Sequence, residues 1–188
     1  TPYQAEASQG TLQVLYEYQT MIASLTGMDV ANASNYDGST AVVESIFMAI
    51  RANRKVKQAR VFIPNTLHPL YREVLDTFLT PHDITVEYLD FNESNGTIDA
   101  SSLPPTDAFS ALVIPYPNFF GNIEAIDQLT DWAHAHQALV IAVANPTALA
   151  LFKSPRDWGE KGADIVCGDG QPLGVPLASG GPYFGFLC

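Results

Sequence analysis

Four short stretches of this 188-residue chain carry residue types whose spacing could do chemistry. Tyr36-Asp37-Gly38-Ser39-Thr40 opens a predicted helix. Free backbone N–H groups at a helix N-terminus, a glycine that permits close approach and neighbouring hydroxyls make a setting for a phosphate. The plainer reading of the same residues is a cap, with Ser39 or Asp37 closing the helix. Pro115-Tyr116-Pro117-Asn118-Phe119-Phe120-Gly121 lies between an apolar run and another helix. Its prolines and glycine predict a rigid loop, and Asn118 offers both a donor and an acceptor to a ring-shaped ligand. As a bare turn it is ordinary.

The third stretch, Val143-Ala144-Asn145-Pro146, ends the most apolar segment of the chain. A cofactor with a pyridine ring commonly meets an Asp at such a strand end, which keeps the ring nitrogen protonated. Asn145 can hydrogen-bond that nitrogen but supplies no charge; the alternative is a strand simply terminated by Pro146. The fourth runs from Gly168-Asp169-Gly170-Gln171-Pro172-Leu173-Gly174 to Gly180-Gly181-Pro182. A lysine in such a glycine-rich turn forms an imine with a cofactor aldehyde. Gln171 has an amide there and cannot. The four lysines, Lys55, Lys57, Lys153 and Lys161, fall outside these stretches and read as solvated surface charges.

The elements that must position these stretches alternate between helix and strand. Leu12, Leu15, Gln19, Ile22 and Leu25 recur at helical spacing, with Gly27 as a stop. A second helix follows Ser39, with Val43, Ile46, Phe47 and Ile50 on one face, and ends in the basic run Arg51, Arg54 and Lys55. Strands are predicted at 61–64, 84–89, 111–114, 138–143 and 164–167, and helices at 68–80 and 123–136. The run 183–187 follows without an intervening helix and reads as an antiparallel strand. Short apolar strands separated by amphipathic helices define an α/β fold: a mostly parallel central sheet with helices on both faces. Ligands of such sheets gather at the C-terminal ends of the strands, which makes the loops there the informative ones.

Composition narrows the partners. Hydrophobic residues make up 47% and charged residues 15%, with 20 acids against 9 bases and a net charge of −11. That balance excludes nucleic acid and anionic membrane surfaces, which need a basic footprint. No apolar run reaches membrane-spanning length. Cys167 and Cys188 match no zinc or redox spacing and read as reduced packing residues of a cytoplasmic protein. No His/Cys/carboxylate cluster has metal-ligand spacing; His134 and His136, two apart on a helix, read as surface residues. The chain starts at Thr1 and stops inside an apolar run, as expected for one domain, residues 1–188, truncated at both ends. Its uncovered apolar surface is expected to drive self-association of an isolated fragment.

Longer motifs carry a resemblance. Thr1-Pro2-Tyr3-Gln4-Ala5-Glu6, Ser8-Gln9-Gly10-Thr11-Leu12-Gln13 and 25–34 resemble the glycine decarboxylase (P-protein) family. Tyr36-Asp37-Gly38, Tyr116-Pro117-Asn118-Phe119-Phe120-Gly121 and Gly168-Asp169-Gly170-Gln171 resemble its subunit 1, the N-terminal half-type, in the bacterial split form. The resemblance implies the large domain of the pyridoxal-phosphate aminotransferase-like fold (fold type I). It also implies a place in the glycine cleavage system, which decarboxylates glycine and passes the aminomethyl group to a lipoyl carrier protein. In the two-subunit form, subunit 2 holds the cofactor lysine and subunit 1 is its cofactor-free relative. The spacing to Pro176 and Gly180-Gly181-Pro182 sets Gln171 opposite that lysine, so no catalytic residue is expected in this chain.

Gly38, Ser39, Asn118, Asn145 and Gln171 are then the vestigial or partner-completing cofactor positions, and Tyr3, Gln4, Tyr36 and Asp37 the interface candidates. Two departures from the family pattern stand out: Asn145 where it usually has Asp, and Pro115 where it often has Gln. A cofactor-free scaffold that only stabilises its partner is the alternative reading. An autonomous aminotransferase would need a well-placed lysine, and the isolated fragment is expected to be inactive.

Overall fold

The computed structural model of the chain describes residues 4, 6–178 and 180–188. Among these, helix α1 spans Gln9–Thr26, α2 Gly38–Ala52, α3 Pro69–Leu79 and α4 Ile126–Ala135. Strands β1 (Arg60–Pro64), β2 (Thr85–Leu89), β3 (Ala111–Tyr116), β4 (Leu139–Ala144), β5 (Ile165–Asp169) and β6 (Gly185–Leu187) form one sheet in the order β2-β1-β3-β4-β5-β6. The first five strands are parallel and β6 runs antiparallel to β5, pairing Cys167 with Leu187 and Asp169 with Gly185. The antiparallel last strand expected from the missing helix before it is therefore present.

Alternation along the strands sorts the core into two layers. Phe62, Leu112, Ile114, Val140, Ala142, Val166 and Phe186 point to the side covered by Ile22 of α1, Leu129 and Ala133 of α4, and Trp158. Val61, Ile63, Val113, Ile141, Ile165 and Cys167 point the other way, against Ala41, Val42 and Ile46 of α2 and Leu75 and Leu79 of α3. Burial on both faces explains why the strands read as unbroken apolar runs. Truncating a fully buried residue such as Leu112 to Ala would cost about 3 kcal/mol, from lost transfer energy and the cavity left behind.

Element ends follow local chemistry. Gly27 adopts the left-handed conformation (φ 76°) that closes α1, as its place in the sequence predicts. α2 stops before Arg54 and Lys55, because the buried Asn53 side chain donates to the carbonyls of Ser110 (3.2 Å) and Gln137 (2.8 Å). α4 begins later than the periodicity suggests, since Glu124 is held by side-chain and backbone donors outside the helix. β3 runs past Pro115, which the sequence assigns to a loop. The Asn145 N–H donates to the Tyr116 carbonyl (3.0 Å), so Tyr116 faces β4 and Pro115 turns its missing N–H toward β1. The register of β1 with β3 ends at Leu112, so no ladder bond is lost there.

His134 and His136 are half-buried rather than freely exposed. His134 Nε2 lies 2.9 Å from Asp164 Oδ2, and His136 Nδ1 lies 2.8 Å from the Trp132 carbonyl. Both rings belong to the packing of the α4 C-terminus. No described helix is long and apolar enough to cross a membrane.

Candidate functional site

The order of strands reverses between β1 and β3, the place where doubly wound sheets open a crevice at their C-terminal edge. A cleft of about 430 Å³ lies there, walled by the loops that follow β1, β3, β4 and β5. Each loop brings one distinctive side chain.

After β1, His68 caps α3: its Nδ1 accepts the Leu70 N–H (3.2 Å), and Pro69 occupies the first helical position, where no N–H is needed. The imidazole packs edge-on against Phe119 (centroids 5.0 Å apart) and lies beside Tyr71 (5.5 Å). His68, Tyr71 and Phe119 thus give this side of the cleft an aromatic wall.

After β3, the Tyr116–Pro117 peptide is cis and Asn118 is buried (4% exposed). Its Nδ2 donates to the Gly96 carbonyl and to Glu124 Oε1, both at 2.8 Å. Its Oδ1 accepts the N–H groups of Phe120 (3.0 Å) and Asn122 (3.1 Å). Two donors and two acceptor sites are all that an amide has. Asn118 lines the cleft yet spends its whole capacity on holding the loop, so its work is positional.

After β4, Asn145 is exposed. Its Oδ1 accepts from the N–H (3.0 Å) and hydroxyl (2.7 Å) of Thr147, turning the chain away from the strand. Its Nδ2 makes no hydrogen bond among the described residues, and Asn145 lines the cleft.

After β5, Asp169 is the acid of the cleft. Its Oδ1 accepts the Gly38 N–H at 2.6 Å and its Oδ2 accepts the Tyr71 hydroxyl. Burial, then the bond to Asp169, hold the Tyr71 phenol protonated far above the ordinary range, so it stays a donor. Gln171 follows in a single 3₁₀ turn, Gln171–Leu173, but its Nε2 folds back onto the Val175 carbonyl (2.6 Å), and Pro172 is the residue that lines the cleft.

The start of α2 meets this edge through Asp169. Asp37 caps the helix: its Oδ1 accepts the Thr40 N–H (2.8 Å) and the Ser39 hydroxyl (2.7 Å), and the Thr40 hydroxyl receives the Asp37 N–H (3.1 Å) in return. Burial works against ionisation of Asp37, but the bonds from Thr40 and Ser39 outweigh it and hold the carboxyl below its ordinary range.

Of the positions expected from sequence, Asn118, Asn145 and the turn after β5 share one cleft, and Gly38 is tied to it by Asp169. Ser39 is committed to the cap. Gln4 is exposed, Tyr36 is 89% exposed at the mouth of a separate groove with Met48 and Phe78, and Tyr3 lies outside the described residues. Sequence reasoning missed His68, Tyr71 and Glu124 and gave Asp169 no role. Only Asp169, an acid between two glycines at a strand end, left a readable signal. Among the described residues no group of three or more His, Cys, Asp or Glu could hold a metal ion.

The sheet order, with its cleft across the C-terminal strand ends, defines the large domain of fold type I, the fold of pyridoxal-phosphate enzymes. A sphingosine-1-phosphate lyase from Burkholderia pseudomallei shares it with a TM-score of 0.71 at 14% identity, over 98% of this chain and 46% of that one. The chain belongs to the glycine cleavage system P-protein family, whose model matches residues 1–188. It is 58% identical to a probable glycine dehydrogenase (decarboxylating) subunit 1 of Thioalkalivibrio sulfidiphilus and 57% identical to one of Coxiella burnetii, along its whole length in both. It spans 42% of the length of each of these relatives. A crystal structure of glycine decarboxylase (P-protein) of the glycine cleavage system, in inhibitor-bound form, superposes with a TM-score of 0.89 at 42% identity, over 100% of this chain and 41% of that one.

Proposed function

We propose that the chain is the large-domain part of subunit 1 of a two-subunit glycine dehydrogenase (decarboxylating), an oxidoreductase of the glycine cleavage system in the bacterial cytoplasm. In this reading subunit 1 shapes the active site of the pair, and subunit 2 carries the pyridoxal phosphate. Glycine is the substrate, and a lipoyl carrier protein receives the aminomethyl group.

The observation that carries this reading is the chemistry of the cleft. Fold type I implies pyridoxal phosphate, and the residues here do not fit it. Among the described residues no lysine lines the cleft to hold an aldehyde. Lys55 and Lys57 follow the far end of α2, roughly 20 Å from its N-terminus at 1.5 Å per residue. Lys153 is paired with Asp127 at 2.8 Å on the surface. Asn145 cannot supply the negative charge that balances a protonated pyridine. The similarity, along the whole of this chain, to proteins named subunit 1 supports the same division of labour.

The test is reconstitution. The full-length chain alone should show no glycine-dependent exchange of carbon dioxide, and adding the lysine-bearing partner should restore it. Exchange by the chain alone would sink the reading. The scaffold alternative is separated by substituting Tyr3 and Asp37 in the assembled complex. Unchanged turnover with intact assembly would favour the scaffold.

A further inference from the structure

We propose that Asp169 is a built-in anion that closes the N-terminus of α2 to phosphate-bearing ligands, making the cleft of this chain selective against them.

A helix N-terminus attracts phosphate because its first N–H groups lack intrahelical partners and carry the positive end of the dipole. The first-turn donors of α2 can be followed one by one. The Gly38 N–H goes to Asp169 Oδ1 (2.6 Å), the Thr40 N–H goes to Asp37 Oδ1 (2.8 Å), and the Ser39 hydroxyl donates to the same Asp37 oxygen (2.7 Å). The next N–H, of Ala41, already makes the first helical bond to the Asp37 carbonyl (3.0 Å). An incoming phosphate would find the Gly38 and Thr40 amides already taken and would meet two carboxylates. Among the described residues the cleft lining holds neither Lys nor Arg to offset them.

The carboxylate is also fixed in place. Asp169 pairs with Gly185 in the β5–β6 ladder, the Gly170 N–H donates to the Phe184 carbonyl (2.7 Å), and Asn35 and Gly185 exchange backbone bonds at 2.8 and 2.9 Å. A Cβ on Gly185 would strike the Asp37 carbonyl, and one on Gly170 would strike the Phe184 ring. These close approaches press the two acid-bearing loops together. Tyr71 holds the second carboxylate oxygen from α3, so two helices and a strand converge on one side chain.

The inference deepens the reading of a cofactor-free subunit and rests on it for its biological sense. Its observable is the anion affinity of this chain, whereas failure of that reading would appear in turnover. The test compares the full-length chain with D169A and D169N by thermal shift and ³¹P NMR, at constant ionic strength. The probes are inorganic phosphate and, separately, pyridoxal phosphate under non-reducing conditions. The expected result is no saturable response in the wild type and a saturable rise in melting temperature for D169A, at an affinity at least about tenfold above any wild-type binding. D169N keeps the shape, removes the charge and should respond more weakly; if D169A does not fold, it decides the matter against wild type. Saturable binding of either probe by the wild type, matched by the variants, would overturn the proposal. So would a folded D169A, or D169N in its stead, that remains blind to both.

Discussion

Asn118 Nδ2 donates to Glu124 Oε1 at 2.8 Å beneath the cleft, joining the loop after β3 to a carboxylate that is only 2% exposed. The same carboxylate accepts the Thr66 hydroxyl (2.7 Å) and the Ile98 N–H (2.7 Å), so three loops converge on Glu124 without a cation. A buried carboxylate is tolerable only when donors surround it, and here they do.

Glu124→Gln would turn an NH₂ group toward one of those donors. It should lower stability by about 2 kcal/mol, in the range for hydrogen bonds to charged groups. Asn118→Asp should cost more than Asn118→Ala, because it sets a second carboxylate beside the first. Urea unfolding of the full-length chain checks both, and an unchanged midpoint for Glu124→Gln would contradict this account of the loop.

Asp37→Ala should destabilise by about 1 kcal/mol through loss of the α2 cap. The folded-state pKa of Asp37 is depressed below its ordinary value of 3.8, so its contribution is present above that pH and fades as pH falls through the folded value. The gap in stability between Asp37→Asn and wild type should therefore be full at neutral pH and shrink in acid. A gap that grows below pH 4 (roughly the ordinary carboxyl value) would contradict the assignment.

Gly38→Ala tests the close approach. Alanine is the better helix former by about 1 kcal/mol, yet its Cβ would collide with the Tyr71 hydroxyl and the Asp169 carboxylate. We expect net destabilisation of about 2 kcal/mol, the usual scale of overpacking. A more stable Gly38→Ala chain would show that these elements are not pressed together.

Burial pushes the Cys167 thiol up to about 12, and the residue is fully enclosed. It should resist iodoacetamide at neutral pH and be alkylated only as fast as the chain unfolds. Peptide mapping after timed alkylation reads this directly, and rapid labelling of native protein would contradict it.

Tyr36 is nearly fully exposed beside Met48 and Phe78, an arrangement suited to a protein partner. Tyr36→Ala should weaken assembly with subunit 2 by about tenfold, the scale of an aromatic anchor, while leaving the melting temperature unchanged. Sedimentation of the mixed subunits measures it; equal assembly would remove Tyr36 from the interface.

The layered fold was legible because the central strands β3, β4 and β5 are apolar on both faces and α2 shows a clear inward stripe. The places where the reading slipped are those governed by distant partners. α4 starts at Ile126 because Glu124 is claimed by Thr66 and Ile98, and β3 extends through Pro115 because β1 has already parted from it. Asn118 and Asn145 were recognised as cleft residues from their positions after strands. That the first is saturated and the second keeps a free donor depends on Gly96, Glu124 and Thr147, contacts that no local pattern encodes. The phosphate-type loop and its plainer reading as a cap could not be separated by spacing. The Asp37 side chain makes the cap, and the residue that claims the Gly38 N–H lies 131 positions away.

The central claim is that the cofactor lysine belongs to another chain. Borohydride reduction of the assembled, pyridoxal-phosphate-saturated complex, followed by peptide mass spectrometry, tests it most directly. The account predicts a phosphopyridoxyl group on a lysine of the partner and none on Lys55, Lys57, Lys153, Lys161 or any other lysine of this chain. Stoichiometric label on a lysine of this chain would contradict it.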